Sequence, residues 1–433
     1  MNVLYANDAQ GSYPPSYYHA TCTELPSFPA LAGDINCDVC IIGAGYTGLS
    51  AALHLAQKNY DVVVLDAHRI GWGASGRNGG QLGIGLRVGQ SKLEKIVGLE
   101  TAKDLWQLGL EANQLVHDLI KQHEIDCDFK SGVLHANHRR RFTRHSQNQV
   151  EHLHSVYGYD KIRFVDETEI RQMLGTKAYF SGTLDTSAGH LHPLNFALGL
   201  ARVAKDAGVR FFEKTEVTDV SRSNPAIVKA NHGKVSAKFV IIACNGYLGA
   251  LEEKIAARVM PVNNFIIATE PLSQEKAEEL IRDDVAVADS KFVINYYRLS
   301  ADKRLLFGGG ENYGNRFPAD IKAFVTRPML EIYPQLKDVR IDYGWGGTLA
   351  ITMNRLPYLN RLAANILTAS GYSGYGLGMG TYAGSILAQA IDGTASRFDC
   401  MGSIPTKRFP GGTLARTPLL VLAMLYYTLR DRF

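Results

Sequence analysis

The stretch that most constrains the fold is residues 37–67, CDVCIIGAGYTGLSAALHLAQKNYDVVVLDA. It opens on Val39-Cys40-Ile41-Ile42, a run short and apolar enough to be a strand buried on both faces. Gly43, Gly45 and Gly48 follow, then a helical pattern through Lys58, a second apolar run at 62–65, and the acid Asp66. Strand, glycine turn, helix, strand and acid stand in register for a dinucleotide-binding βαβ unit. Gly43 permits the turn out of the strand, Gly45 admits a pyrophosphate close to the backbone, and Gly48 lets the helix approach the sheet. The helix N-terminus, reached through Ala44, Tyr46 and Thr47, offers free N–H groups to phosphates. Asp66, with Ala67 behind it, is placed to accept hydrogen bonds from ribose hydroxyls.

At 433 residues the chain exceeds the usual size of one core, so two domains are expected. The expected division is a discontinuous cofactor-binding part (1–88, 186–257, 344–433) and a substrate-binding part (89–185, 258–343). The fold class is α/β, α+β overall: a Rossmann-like parallel sheet with a β-meander, joined to a large antiparallel sheet flanked by helices. A net charge of +4 gives no case for nucleic acid, and the cluster Arg139–Arg141 with Arg144 reads as a solvated face. Six cysteines in so long a chain do not make a disulfide framework. Cys37 and Cys40 form a CxxC, but three residues apart on one strand they should face opposite sides, so no metal is expected. The first residues lack a basic segment followed by an apolar one, which points to the cytoplasm. The apolar run 419–425, with Tyr426 and Tyr427, is too short to cross a bilayer. It reads as a packed terminal helix, or else as a subunit or membrane-surface contact.

Along the chain, 1–36 reads as an extended arm, 69–83 (RIGWGASGRNGGQLG) as a glycine-dense loop able to run close past a flat ligand, and 92–124 as one long helix. Strands are expected at 129–136, 162–165, 179–185 and 209–212. A meander is expected at 216–221, 226–231 and 235–238, followed by a separate strand at 239–244 ending in Asn245-Gly246. Alternating strands at 263–269, 285–288, 292–298 and 304–309 precede a helix at 318–332. The last third repeats the opening logic: strand 366–369, the loop GYSGYGLGMG at 371–380, and a helix at 381–391.

Taken together, GAGYTG, GASGRNGGQ, IIACNG, GHLHPLNFALG and GYSGYG resemble the D-amino-acid oxidase/sarcosine oxidase superfamily of flavoproteins, over almost the whole chain from Cys37. The resemblance implies an FAD-dependent amine oxidase, with a polyamine-derived, gamma-glutamylputrescine-like amine favoured. Hydride would pass from the carbon beside the amine to flavin N5. The resulting imine would hydrolyse to aldehyde and ammonia, and O2 would be reduced to hydrogen peroxide. It further implies that Gly43–Gly48 and Asp66 hold the pyrophosphate and adenosine ribose. Gly73, Ala74 and Ser75, with Arg77, Asn78, Gly79, Gly80 and Gln81, would line the pyrophosphate and isoalloxazine. Val217 would hold the adenine, Cys244, Asn245 and Gly246 would also bind the cofactor, and Gly371, Tyr372, Ser373, Gly374 and Gly376 would face the flavin C2 carbonyl.

Two departures from the family pattern matter. The segment 343–352 (YGWGGTLAIT) lacks the cysteine that covalent members use, so FAD is expected to be non-covalent. Leu349 or Ala350 stands where amino-acid oxidases place a carboxylate-binding arginine, which favours an amine without a carboxylate on its reacting carbon; Arg298 or Arg355 could serve instead. Trp345, Tyr372 and Tyr375 are candidates for an aromatic wall around the amine, or are packing. Tyr297 and Arg298 are candidates on a sheet strand facing the flavin. His190 and His192 flank a turn, either as buried structural imidazoles or in the site. The rival readings are an amino-acid (glycine, sarcosine or D-amino acid) oxidase, a flavin dehydrogenase passing electrons to a quinone or carrier, and an FAD-binding regulatory protein.

Overall fold

Alternate residues of the strand Met260–Thr269 show how the molecule is divided: Phe265 and Ile267 point into one apolar cluster, Ile266 and Ala268 into another. The strand belongs to one of two sheets in the computed structural model, which describes residues 3–312, 314 and 316–413. The apolar run 419–425 lies outside the described residues. No helix among them is long and apolar enough to cross a membrane.

The first sheet has Ile35–Ile42 at its centre, parallel to Val62–Leu65 on one side and Gly233–Ile242 on the other. Arg210–Phe212 and Ile366–Ser370 extend it in parallel at the two flanks, and Tyr358–Ala363 closes one edge antiparallel. Val217–Val220 and Ala226–Ala230 form the meander, hydrogen-bonded onto Gly233–Ile242. The separate strands expected at 235–238 and 239–244 are thus one continuous strand, long enough to pair with the meander at its start and the parallel sheet at its end. Helices Tyr46–Ala56, Pro193–Asp206 and Gly376–Ile391 cover one face. Two of them meet backbone to backbone, since a Cβ at Gly384 would lie 2.3 Å from the Thr47 carbonyl oxygen.

The second sheet runs in the order Ile341–Ile351, Met260–Thr269, Leu305–Asn312, Tyr296–Leu299, Ala286–Asp289, Lys130–Asn137, Ser181–His190 and Gln81–Leu82, with Ile162–Val165 also on Ser181–His190. Every pairing is antiparallel except Ala286–Asp289 with Lys130–Asn137. Helix Ile321–Ile332 buries Val325 and Met329 against one face, and the other face looks toward the glycine loops of the first sheet.

Several expectations are corrected. The helix expected over 92–124 is two, Gln90–Val97 and Leu99–Gln122, because Gly98 at φ +85° breaks it. Strand Ile341–Ile351 is not among the expected strands; Gly344, Gly346 and Gly347 within it carry little strand propensity. The expected boundaries at 185/186 and 343/344 fall inside the strands Ser181–His190 and Ile341–Ile351. The stretch 292–298 is a strand only from Tyr296, because the preceding backbone wraps Asp289, whose carboxylate accepts from Lys291 N and from Asn295 N and Nδ2. The arm carries a helical turn, Tyr17–Thr21, capped by Ser16. Cys37 and Cys40 do not point to opposite faces. The N–H groups of Asp38 and Val39 both bond the Asp61 carbonyl, a bulge that shifts side-chain parity, and both thiols enter one apolar cluster. Burial pushes the Cys37 thiol up to about 12 and that of Cys40 well up.

Candidate active site

The first wall of the site is made of backbone. Gly43 has φ +105°, and a Cβ at Gly48 would lie 1.9 Å from the Gly43 carbonyl oxygen, so the helix Tyr46–Ala56 begins as close to the strand as a backbone allows. That helix has no side-chain cap of its own; Ser75 Oγ accepts from Tyr46 N at 3.0 Å from the neighbouring loop. Asp66 closes the turn from below, accepting Ala44 N and His68 N at 2.8 Å each. Burial pushes its carboxyl up to about 6 against the opposing pull of those two bonds.

The loop Gly73–Gln81 is held by its own side chains. Asn78 Nδ2 donates to the carbonyls of Ala74 and Ser75 and to the Tyr46 hydroxyl, while its Oδ1 accepts Gly80 N. Arg77 is buried: Nε donates to Trp72 O at 2.6 Å, and Nη1 donates to Asp8 Oδ2 at 2.8 Å and Gly346 O at 3.1 Å. Its Nη2 is buried without a hydrogen-bond partner among the described residues. The N-terminal arm thus clamps this loop through Asp8. A third backbone element, the helix Gly376–Ile391, also starts without a side-chain cap, directly after Ser373 at φ +52° and Gly374 at φ +99°. Asn245 Oδ1 accepts Gly371 N at 3.0 Å and fixes the approach to that loop.

The second wall is made of side chains on the second sheet. One cross-strand row runs His135, Ala288, Tyr296, Gly308. Tyr296 lies flat in the space left by two glycines: a Cβ at Gly308 would be 2.1 Å from its ring, and one at Gly79 2.6 Å. Its hydroxyl donates to Asn264 Oδ1. His135 sits deep in the protein, yet its accessible surface faces the interior space; burial, reinforced by Arg87, depresses its imidazole to about 4, so it is neutral near pH 7. Between the walls lies a cavity of about 300 Å³. It is lined from the first wall by residues that include Gly45, Tyr46, Thr47, Ala74, Ser75, Arg77, Asn78, Gly79 and Gln81, and by Asn245 and Tyr372–Met379. From the second wall come His135, Asn264, Asp289, Phe292, Tyr296, Glu311, Leu349 and Arg355, with Arg87 from the loop between.

This cavity is where known relatives are informative. A family model described as "DAO: FAD dependent oxidoreductase" matches residues 38–390. The chain belongs to this family of FAD dependent oxidoreductases. It is 41% identical to gamma-glutamylputrescine oxidoreductase of Escherichia coli (strain K12), over 96% of this chain and 98% of that one. It is also 41% identical to the probable oxidoreductase OrdL of Rhizobium meliloti (strain 1021), over 96% and 97%. Among solved structures, glycine oxidase from Geobacillus kaustophilus superposes with a TM-score of 0.73 at 20% identity, covering 87% of this chain and all of that one. As a member of the DAO family the protein is an FAD-dependent oxidoreductase with a mixed parallel and antiparallel α/β fold.

The residues present fit FAD. Two helix N-termini whose own N-cap residues supply no side-chain cap, at Tyr46 and Gly376, reach the same cavity, and Arg77 brings to its lining a buried N–H that has no acceptor among the described residues. The other residues named from sequence do not line the cavity: Gly43, Ala44, Gly48, Asp66, Ala67, Gly73, Gly80, Val217, Cys244, Gly246 and Gly371. Val217 is half-buried in the meander, opposite Ala230, and Cys244 packs its thiol toward the Ile42 carbonyl.

The structure moves five of the substrate-site candidates away from the cavity. Tyr297 points to the opposite face of the sheet from Tyr296, stacked on Phe307 with ring centroids 5.3 Å apart, because neighbouring strand residues face opposite sides. Arg298 shares the face of Tyr296 but is spent on the loop, donating to Gly79 O and Leu191 O. Trp345 is buried against Tyr18 and donates Nε1 to Arg77 O at 3.1 Å. His192 caps the helix Pro193–Asp206 through Nδ1, and His190 donates Nε2 to Asp284 O. Tyr372 and Tyr375 do line the cavity, and Tyr372 shares a 2.7 Å hydrogen bond with Thr47 Oγ1. Sequence reasoning missed His135, Tyr296, Asn264, Glu311 and Arg87. Alternation along the strands could have paired His135 with Val133, but nothing in the sequence says which parity faces inward.

Proposed function

We propose that the protein oxidises a flexible amine of the gamma-glutamylputrescine type at the carbon beside its terminal nitrogen, with non-covalently held FAD. The observation that carries this reading is the second wall. Leu349, not a cation, faces the cavity from the segment expected to hold a carboxylate-binding arginine, and the carboxylates Asp289 and Glu311 offer a cationic amine a complementary field. FAD, when bound, supplies the two-electron acceptor for the hydride leaving that carbon. The chain's own part is positioning. Tyr296 and Tyr375 add aromatic surface to the lining, and neutral His135 adds no charge near pH 7. Arg298 and Asn78 fix the loop backbone against which the reacting carbon must be aligned.

Non-covalent attachment is supported by the lining itself, which includes no cysteine among the described residues. Imine hydrolysis to aldehyde and ammonia, with O2 as acceptor, belongs to the same proposal, as do a cytoplasmic location and the division into FAD-binding and substrate-binding parts. The test is the visible spectrum of the purified protein before and after acid precipitation, followed by anaerobic addition of gamma-glutamylputrescine, putrescine, sarcosine, glycine and D-alanine. Flavin released to the supernatant and bleached by the amines alone is the expected result. Bleaching by glycine or D-alanine would overturn the substrate reading, and flavin retained in the pellet would overturn the non-covalent one.

A further inference from the structure

We propose that Arg87 is a specificity-determining residue that binds a carboxylate at the far end of the amine substrate. The inference rests on the amine reading above and deepens it. Arg87 stands just past the glycine loop, on a backbone fixed by close packing. A Cβ at Gly109 would lie 2.5 Å from Gly85 Cα, and one at Gly85 would lie 2.9 Å from the Trp106 ring, so the helix Leu99–Gln122 presses directly on this segment. The side chain is half-buried and lines the cavity, with its guanidinium 5.7 Å from the centroid of the Tyr375 ring.

Arg87 makes no hydrogen bond or ion pair among the described residues. A guanidinium withdrawn from water wants planar acceptors for its fork of donors, and none is supplied here. The nearby carboxylate of Asp185 is already occupied by the Tyr159 hydroxyl and the N–H groups of Ser187 and Ala188. The neighbouring imidazole of His135 offers no negative charge. The missing partner is therefore an anion brought by the ligand, and a carboxylate matches the fork.

The rest of the cavity says where on the substrate that carboxylate sits. Of its own acids, Asp289 lies one strand from His135 with its carboxylate held by Lys291 N and Asn295, while Glu311 lies toward the other side. From His135, beside Arg87, to the strand that carries Glu311 are three strand steps, about 14 Å at the usual inter-strand spacing. An extended chain of ten bonds, from the terminal nitrogen of gamma-glutamylputrescine to its α-carboxyl carbon, reaches about 12 Å. A cation at one side and the acid Glu311 at the other therefore match an amine whose carboxylate is remote from the reacting carbon. They do not match an α-amino acid, whose two charges are adjacent.

The test uses the FAD-loaded enzyme and two probes. One is γ-glutamyl-n-butylamide, which keeps the glutamyl head and lacks the reacting amine, titrated against the flavin absorbance and by calorimetry. The other is the kcat/KM ratio of gamma-glutamylputrescine to N-acetylputrescine, which lacks the carboxylate. R87Q is expected to weaken butylamide binding about 10- to 100-fold and to lower the preference by a similar factor through KM, with R87K in between because it keeps charge but not the fork. Unchanged flavin content and melting temperature show that R87Q is folded. Equal binding by R87Q and wild type, or a loss confined to R355Q, overturns the proposal. Arg87-dependent butylamide binding in an enzyme that oxidises neither amine would sustain the anion site and sink the amine reading instead.

Discussion

The two walls of the cavity are built by opposite means. The wall from the first sheet is backbone: glycines, uncapped helix ends and carbonyl-anchored loops, in which side chains such as Asn78 and Arg77 serve to hold the chain in place. The wall from the second sheet is side chain: Tyr296, His135, Asn264 and Glu311, projecting from paired strands. A cofactor shared across a family is held by groups every residue has, whereas the substrate is read by groups that differ. The first wall should therefore fail through shape and the second through chemistry.

The largest effect should come from filling the first wall. Gly48→Val puts a branched side chain where even a Cβ would be 1.9 Å from a backbone oxygen, costing about 3 kcal/mol or more and yielding protein without flavin colour. If G48V retains FAD with wild-type stability, the backbone account of that wall is wrong. Next, Asp8→Ala leaves the buried Arg77 guanidinium without its carboxylate, an expected loss of about 3 kcal/mol in denaturant unfolding together with faster FAD release. An unaltered FAD release rate would show that the arm does not clamp the loop.

The histidines that support both walls give a pH signature. Burial lowers His190 to about 3 and His135 to about 4. Each folded value lies below the ordinary one near 6.5, so between these limits the unfolded chain binds the proton and the folded chain does not. The stability these groups contribute is complete above pH 6.5 and is lost as pH falls toward 4 and 3. Asp66 and Asp289, raised to about 6 by burial, act in the opposite sense as pH falls below 6. His190→Gln should therefore reduce the slope of stability against pH by about 1 kcal/mol per unit below pH 6, measured by urea midpoints. An unchanged slope would remove His190 from the account.

The smallest effect on stability separates two adjacent tyrosines. The Tyr297 hydroxyl is buried without a hydrogen-bond partner, so Tyr297→Phe should leave turnover intact and hold or raise stability by up to about 1 kcal/mol. Tyr296→Phe removes the donor to Asn264 inside the cavity and should change KM and kcat while barely moving the melting temperature. Equal kinetics for the two variants would mean that the second wall does not read the substrate.

How much of this was legible follows from the same division. Gly43–Gly48, the loop around Asn78 and the start of Gly376–Ile391 were readable because glycine spacing reports backbone conformation directly, and conformation is local. Tyr297 was chosen over Tyr296 because period two is visible in a sequence while its phase is not. Cys37 and Cys40 were misplaced by one bulge at Asp38, fixed by where the Asp61 carbonyl lies on the neighbouring strand. By itself, then, the sequence determined the βαβ unit, the glycine loops, the return of the chain at 366–391 and the family to which they belong. The tertiary structure alone decided which strand faces look inward, that Arg298 and Trp345 brace the loop and do not line the cavity, and that Arg87 has no hydrogen-bond or ion-pair partner among the described residues. Those outcomes depend on contacts between residues scores to hundreds of positions apart, which packing selects and local propensity does not encode.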